Sequence, residues 1–589
     1  MGMSPLVFER CAGWLHPAGG DVGVLLCSPI GMEELCLRRA WRMLAGLCAE
    51  AGYPALRFDY PGCGDSAGVL ESVDSVDRLV RAVIRAAGAL RRQTGVARLV
   101  LVGHGLGAAL AALAARRVGA EALALLAPVV RGGAELTALS LWSRTIARGL
   151  DLPAGEAERE GVAGFDLPPA LHASIAALDL TFTQVLPAER VFLATRPERA
   201  LDSRLADRLR AEWADLTIFD YDGHAAALAA PTLARPPAAL FQALVRWLRR
   251  AAPMGPTGEV RFFEDTAALA DDGFTETFVR FGPAGRLAGV LCEPQARRRG
   301  AIALLLNAGG DAHVGWARSG VDQARALARR GAASFRIDMT GLGDSSSPLT
   351  AEPPRLCDPG HVADALAAVD WLEGRGLGPV LVVGRCSGAS VALAAALRDA
   401  RIRELVLINQ RRFSAGLDDS TEVAGERLAH YRERLSAPAA VLRRGLRGEL
   451  DSWAALRRLS GAAARRAYAA ASGHDRRMRQ RMFEGFEGFA ARGMRTTLLY
   501  SEMGPAWDEF EQAFGPGGGR LQRLAGVEIR RLAGADDNLT PASARGALIE
   551  LLCERALNPP PHPPRPPRAP APERAPGWVA MPGTAPGTA

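Results

Sequence analysis

The residue best placed to attack an electrophile is Cys386. It follows the apolar run Val380 to Val383 inside Gly384-Arg385-Cys386-Ser387-Gly388, and helix-forming residues, Val391 to Leu397, come directly after. A Gly-x-nucleophile-x-Gly turn between a strand and a helix has room for little more than hydrogen on either side of its apex. The apex side chain is pushed out near a helix N-terminus. That end of the helix dipole favours a thiolate, the reactive form of cysteine. The next backbone N–H, from Ser387, is placed to donate to an oxyanion.

The elements that must hold this turn are written twice. Phe8 to His16 leads to Val22 to Pro29, and much later Phe278 to Cys292 leads to Ala301 to Gly310. Each is a pair of β-rich runs followed by a strand that ends in a small-residue loop. Amphipathic helices over Leu37–Gly52 and Val321–Gly331 come next, each closing on a glycine. Then Leu56 to Ser66 and Phe335 to Ser345 share Arg-x-Asp followed by Gly-x-Gly-Asp-Ser, with Asp65 and Asp344 in matching places. The Asp–Ser pairs of these loops read as local backbone-capping turns.

Strands over Ala97–Val102 and Pro379–Val383 lead into the two turns. The first turn reads Gly103-His104-Gly105-Leu106-Gly107, so its apex is Gly105, which has no side chain to react. Strands are expected at Ala122–Leu126 and Val191–Thr195, around a polar helical insert from about Val130 to Leu178. Leu216 to His224 closes the first copy with Gly-His. The second copy carries a longer helical, arginine-rich insert and ends on strands at Arg495–Tyr500 and Val527–Leu532. Strands alternating with helices specify a mostly parallel sheet with helices on both faces.

The two turns, the repeated Arg-x-Asp…Gly-x-Gly-Asp-Ser loops and the terminal Gly-His resemble the α/β-hydrolase fold, over about Leu6 to Leu557. The closer likeness is to serine-aminopeptidase-like and exosortase-associated hydrolases. The resemblance implies an α/β architecture of two tandem α/β-hydrolase domains, each a parallel sheet flanked by helices with a helical cap insert. The expected boundaries are 1–252 and 259–557. Residues 253–258 form the linker, about 413–492 the second cap, and 558–589 a disordered Pro-rich tail.

The family order is nucleophile, then an acid after a late strand, then a histidine after the last strand. In the second copy Cys386 takes the first role and Glu502 or Asp508 follows the late strand. No histidine follows Leu532; Asp537 stands in its place, beside Asp536. Asp537 is then the proton acceptor, or His313 or His474 reaches in from elsewhere. The oxyanion donors are Ser387 and a backbone N–H from the Asn307–Gly310 loop, Asn307 or Ala308. In the first copy His224 remains, with Glu198 or Asp202 to orient it, while Cys27 and Ser28 lie on the oxyanion loop. The chemistry implied is hydrolysis or acyl transfer at an ester, thioester or amide, with the first domain non-catalytic. The alternative is a pseudo-hydrolase that binds or scaffolds.

Composition narrows the classes further. At 589 residues the chain suits several domains, and a charged fraction of 23% with 48% hydrophobic residues is ordinary globular material. It contains no lysine, which excludes Schiff-base chemistry, lysine-bound pyridoxal phosphate and a P-loop. Nine scattered cysteines without a Cys-x-x-Cys pair point to reduced thiols, and nine scattered histidines signal no metal site. No cofactor is expected. No apolar run is long enough to span a bilayer and the first residues lack a signal-peptide pattern, so a cytoplasmic location is expected. A net charge of +7 does not call for nucleic acid. The arginine-rich cap, Arg432 to Arg481, is a solvated face or a dock for an acidic carrier protein presenting an acyl substrate.

Overall fold

The computed structural model describes residues 2–149, 161–162, 164–181, 188–212, 215–255, 266–346, 356, 358–411 and 474–561. The chain forms two units, each built on its own sheet. In the first, β1 (Ser4–Phe8), β2 (Cys11–His16), β3 (Val22–Cys27), β4 (Ala55–Phe58), β5 (Arg98–His104) and β6 (Ala122–Leu126) are followed by a small hairpin, β7 (Gly161–Val162) and β8 (Phe165–Asp166). The strands β9 (Arg190–Thr195) and β10 (Asp215–Asp220), the latter at the edge, complete it. The order across the sheet is β1-β2-β4-β3-β5-β6-β9-β10, and every pairing from β4 to β10 is parallel.

The second unit repeats that order with one added strand. Its strands are β11 (Thr266–Asp271), β12 (Phe274–Phe281), β13 (Leu287–Pro294), β14 (Ile302–Leu305), β15 (Ser334–Asp338), β16 (Val380–Arg385), β17 (Ile402–Ile408), β18 (Arg495–Met503) and β19 (Val527–Asp536). They lie in the order β11-β12-β13-β15-β14-β16-β17-β18-β19. The sequence points to the paired runs from Phe278 onward; the outer strand β11 is an addition it does not show.

Helices of the first unit are α1 (Met32–Glu50), α2 (Val76–Thr94), α3 (Leu106–Val118), α4 (Gly132–Gly149), α5 (Pro169–Ala176), α6 (Ala200–Glu212), α7 (His224–Ala227) and α8 (Ala238–Ala251). Those of the second are α9 (Ser319–Arg329), α10 (Pro359–Gly374), α11 (Ser387–Arg398), α12 (His474–Ala491), α13 (Ala506–Phe514) and α14 (Ala542–Leu557). Helix α1 starts at Met32, five residues before the expected Leu37, and so carries Glu33 and Glu34 in its first turn.

Alternation along the central strands explains the layering. Leu99 and Leu101 of β5 pack with α2 and α3 on one face, and Val100 and Val102 pack with α1 and α8 on the other. In the second sheet Val382 faces α10 and α11 while Leu381 and Val383 face α14. Burying each such side chain contributes about 1.5–3 kcal/mol, so central strands with both faces covered read as continuous apolar runs. No helix among the described residues is long and apolar enough to cross a membrane.

The units meet through the repeated loops. Arg57 of the first binds Asp344 of the second at 2.6 Å, and the matching Arg336 of the second faces Asp65 of the first at 3.4 Å. Arg38 reaches both Asp59 and Asp344, and Arg42 donates to the carbonyl of Gly343. Arg318 donates to the carbonyls of Gly64, Ser66 and Gly68. The serines of these loops behave as local caps, Ser66 Oγ donating to Asp59 O and Ser345 Oγ to Asp338 O. The aspartates correct the sequence reading: Asp65 and Asp344 are spent across the boundary between units. The second insert falls on residues 412–473, outside the described residues, apart from α12.

Candidate active site

Both turns at the ends of β5 and β16 have the same backbone. Cys386 has φ 54° and ψ −115°; Gly105 has φ 56° and ψ −124°. A non-glycine residue held there costs about 1–3 kcal/mol, which the surrounding packing must supply. The flanking glycines are required by contact. A β-carbon on Gly384 would overlap the carbonyl of Gly388, and one on Gly388 would overlap the carbonyl oxygen of Asn307.

Cys386 is partly exposed. Burial nevertheless pushes its thiol above the ordinary range, against the opposing pull of Arg385, Arg411 and the Ser387 N–H; Asp537 pushes in the same direction as burial. The expectation of a thiol lowered by the helix dipole is therefore corrected: desolvation outweighs the helix end. Around the sulfur, Arg385 donates to the carbonyl of Asp537, to Asn538 Oδ1 and to Asp311 Oδ2. Arg411 pairs with Glu509 at 2.8 Å. Asp311 is raised to about 6 by burial, with Arg385 opposing.

The sequence-derived candidates fall as follows. Asp537 directly follows β19, and its charge acts on the Cys386 thiol. Asp536 is a cap, accepting from Thr540 N and Oγ1. Asp508 is exposed in the first turn of α13, and it is the neighbouring Glu509 that turns inward to Arg411. Glu502, also exposed, accepts from Gly534 N. His313 is not a base for the thiol: its Nδ1 faces Asp338 and its Nε2 faces Asp65, each at 2.7 Å. The side chain of His474 lies outside the described residues.

Ser387 is the residue after the apex, and its hydroxyl accepts the Gly309 N–H at 2.8 Å. The side chain of Asn307 is spent on structure, donating to Asp311 O and Asp338 Oδ1 and accepting from Met339 N. Any oxyanion role for Asn307 or Ala308 thus belongs to the backbone N–H groups of that loop. Asp338, His313 and Asp344 converge closely enough to suit a cation, but the guanidiniums of Arg57 and Arg38 already sit on Asp344.

In the first unit the place above the apex is filled. A β-carbon on Gly105 would overlap the carboxylate of Glu33, which burial raises to about 7. His224 stacks on His104 with ring centroids 5.7 Å apart and meets Tyr221 edge-on. Burial, helped by Arg196 and Arg199, lowers His224 to about 4, so it is neutral near pH 7. Asp202 does not orient it: both its oxygens take the guanidinium of Arg196. Cys27 is fully buried and raised to about 12. The groups that shift the Cys386 thiol, Arg385, Arg411, Asp537 and the Ser387 N–H, come from the second unit.

This pair of sheets and turns defines the class. The chain belongs to the α/β-hydrolase superfamily, with two units in tandem. Residues 31–158 match the family model described as serine aminopeptidase, S33, and residues 304–486 match the one described as alpha/beta hydrolase fold. Among solved structures, an α/β serine hydrolase without lid from Xanthomonas campestris is similar at 17% identity, covering 43% of this chain and 96% of its own, with a TM-score of 0.30. Carboxyl esterase 2 from Tuber melanosporum is similar at 18% identity, covering 54% and 97%, with a TM-score of 0.30. An α/β serine hydrolase homologue from Coxiella burnetii follows at 12%, covering 50% and 99%, with a TM-score of 0.28. No curated protein matches the sequence.

Proposed function

We propose that the second unit hydrolyses or transfers an acyl group from an ester, thioester or amide through Cys386, and that the first unit is non-catalytic. The observation that carries this reading is the backbone of Cys386, held at a strained positive φ at the N-terminus of α11. In the proposed step Sγ attacks the carbonyl carbon and the thiol proton passes to the Asp537 carboxylate. The carbonyl oxygen takes up the electron pair beside the Ser387 N–H. Collapse returns that pair, breaks the bond to the leaving group, and sends the proton out with it. Water, or an acceptor alcohol or amine, then releases the acyl group from the thioester and restores the thiol.

Glu33 over Gly105 supports the non-catalytic reading of the first unit, since it occupies the space of a nucleophile's side chain. A second reading, a binding or scaffolding pseudo-hydrolase, is favoured by the raised thiol and by the commitment of His313 elsewhere. An acidic carrier protein docking on the arginine-rich insert would suit an acyl substrate. Only Arg479 and Arg481 of that basic stretch have described side chains.

The test is mass spectrometry of the intact protein after exposure to an activated acyl thioester. An adduct that disappears in Cys386→Ala supports the enzyme. No adduct from any donor, with Cys386 alkylating no faster than a free thiol, would leave the scaffolding reading.

A further inference from the structure

The first unit has lost its nucleophile but touches the second unit's oxyanion-side loop directly. That loop, Asn307 to Val314, follows β14 and carries His313 near its end. The His313 backbone N–H donates to Asp338 Oδ1 and its ring lies between two carboxylates, Asp338 of its own unit and Asp65 of the other. Burial opposes charge on the ring, and the two carboxylates outweigh it, raising the imidazolium to about 10. Three residues before His313, Gly310 packs against the Pro231 and Thr232 backbone of the first unit so tightly that a β-carbon there would overlap it. Just before Gly310 on the same loop lie Gly309, which donates to Ser387 Oγ, and Asn307, whose carbonyl rests against Gly388.

We infer that Asp65 of the first unit is a positioning residue for the oxyanion-binding loop of the second, acting through His313. The inference rests on the Cys386 reading above. An oxyanion hole works because its donors are fixed before charge develops. A charge-assisted contact at 2.7 Å fixes the ring more firmly than a neutral one. Removing the carboxylate lets the loop relax, and a shift of about 1 Å at a reacting centre costs on the order of 100-fold. The inert unit thereby buttresses one wall of its neighbour's site. Arg38 faces Asp65 from its own unit and Arg336 faces it from the second.

Two reactions of the same sulfur separate positioning from general damage. Acylation by 4-nitrophenyl acetate passes through an oxyanion, breaking the ester C–O bond and releasing nitrophenolate. Alkylation by iodoacetamide forms S–C as C–I breaks and passes through none. In Asp65→Asn the acylation rate at Cys386 is expected to fall tenfold or more, at the ~100-fold scale of a lost or displaced oxyanion donor. The alkylation rate and the far-UV circular dichroism should stay as in the wild type. His313→Gln should show the same split, and the double variant should lose no more than either single. It also reads the contact from its other end if Asp65→Asn fails to fold. Acylation at the wild-type rate, both rates falling in equal proportion, or losses that multiply in the double variant would overturn the inference. If the wild type itself takes up no acetyl group, the failure belongs to the Cys386 reading and the inference goes with it.

Discussion

The carboxylate of Glu33 occupies the volume that a side chain on Gly105 would need. The two residues come from different elements, the first turn of α1 and the turn after β5. A side chain at the apex of the first turn could be placed only if the Glu33 carboxylate moved aside.

Restoring a hydroxyl there should not restore chemistry. Gly105→Ser is expected to lower stability by about 1–3 kcal/mol, chiefly through its positive φ with some crowding by the Glu33 carboxylate, and to show no esterase activity above a Cys386→Ala background. Adding Glu33→Ala should recover only the part of the loss that comes from crowding. Urea unfolding of the three variants checks this; a stable Gly105→Ser single variant would contradict it.

Asp537 pushes the Cys386 thiol up, so neutralising it has two opposite consequences. In Asp537→Asn the thiol titrates lower, and alkylation by iodoacetamide at pH 7 should become faster. Acyl turnover should become slower, because the group that takes the proton is gone. Alkylation and turnover measured on one preparation test both signs. For the wild type, alkylation should climb steadily as pH rises through 9, since burial holds the thiol protonated below that.

His313 gives the boundary between units its pH dependence. Its folded value, about 10, lies above the ordinary 6.5, so its stabilising contribution is complete below 6.5 and is lost as pH rises through 10. Asp65 and Asp344 are depressed by their cationic partners, despite burial, so their contribution holds above the ordinary 3.8 and fades in stronger acid. The unfolding midpoint of the wild type should therefore exceed that of His313→Gln by most near pH 6, and the gap should close by pH 10. A gap independent of pH would show that the ring is not charged.

Asp344→Ala leaves Arg57 and Arg38 without one shared carboxylate at a buried boundary. Breaking a buried pair from one side costs about 3–5 kcal/mol. Calorimetry should show a clearly lowered transition, and separate transitions for the two units would be the fullest form of that result. Arg57→Ala with Asp344→Ala together should cost less than the sum of the singles.

Local patterns made the duplicated frame legible. Apolar runs ending at Gly103 and Gly384 gave β5 and β16 within a residue or two, because a buried parallel strand must be apolar on both faces. The glycines around Cys386 announced a turn that only small residues permit, and the matching glycine at 105 announced a turn with nothing to offer. That Asp537 follows the last strand could be read from position alone.

What the chain could not disclose was which distant groups share a site. Arg57 and Arg336 stand out in the sequence as matching members of a repeat, yet nothing local says that Arg57 binds the other copy's Asp344 and Arg336 faces the other copy's Asp65. Tertiary packing alone committed His313 to Asp65, lifted the Cys386 thiol instead of lowering it, and set Glu33 over Gly105. Strand and turn preferences act over a few neighbouring residues. Desolvation and ion pairing depend on what folding delivers from hundreds of residues away.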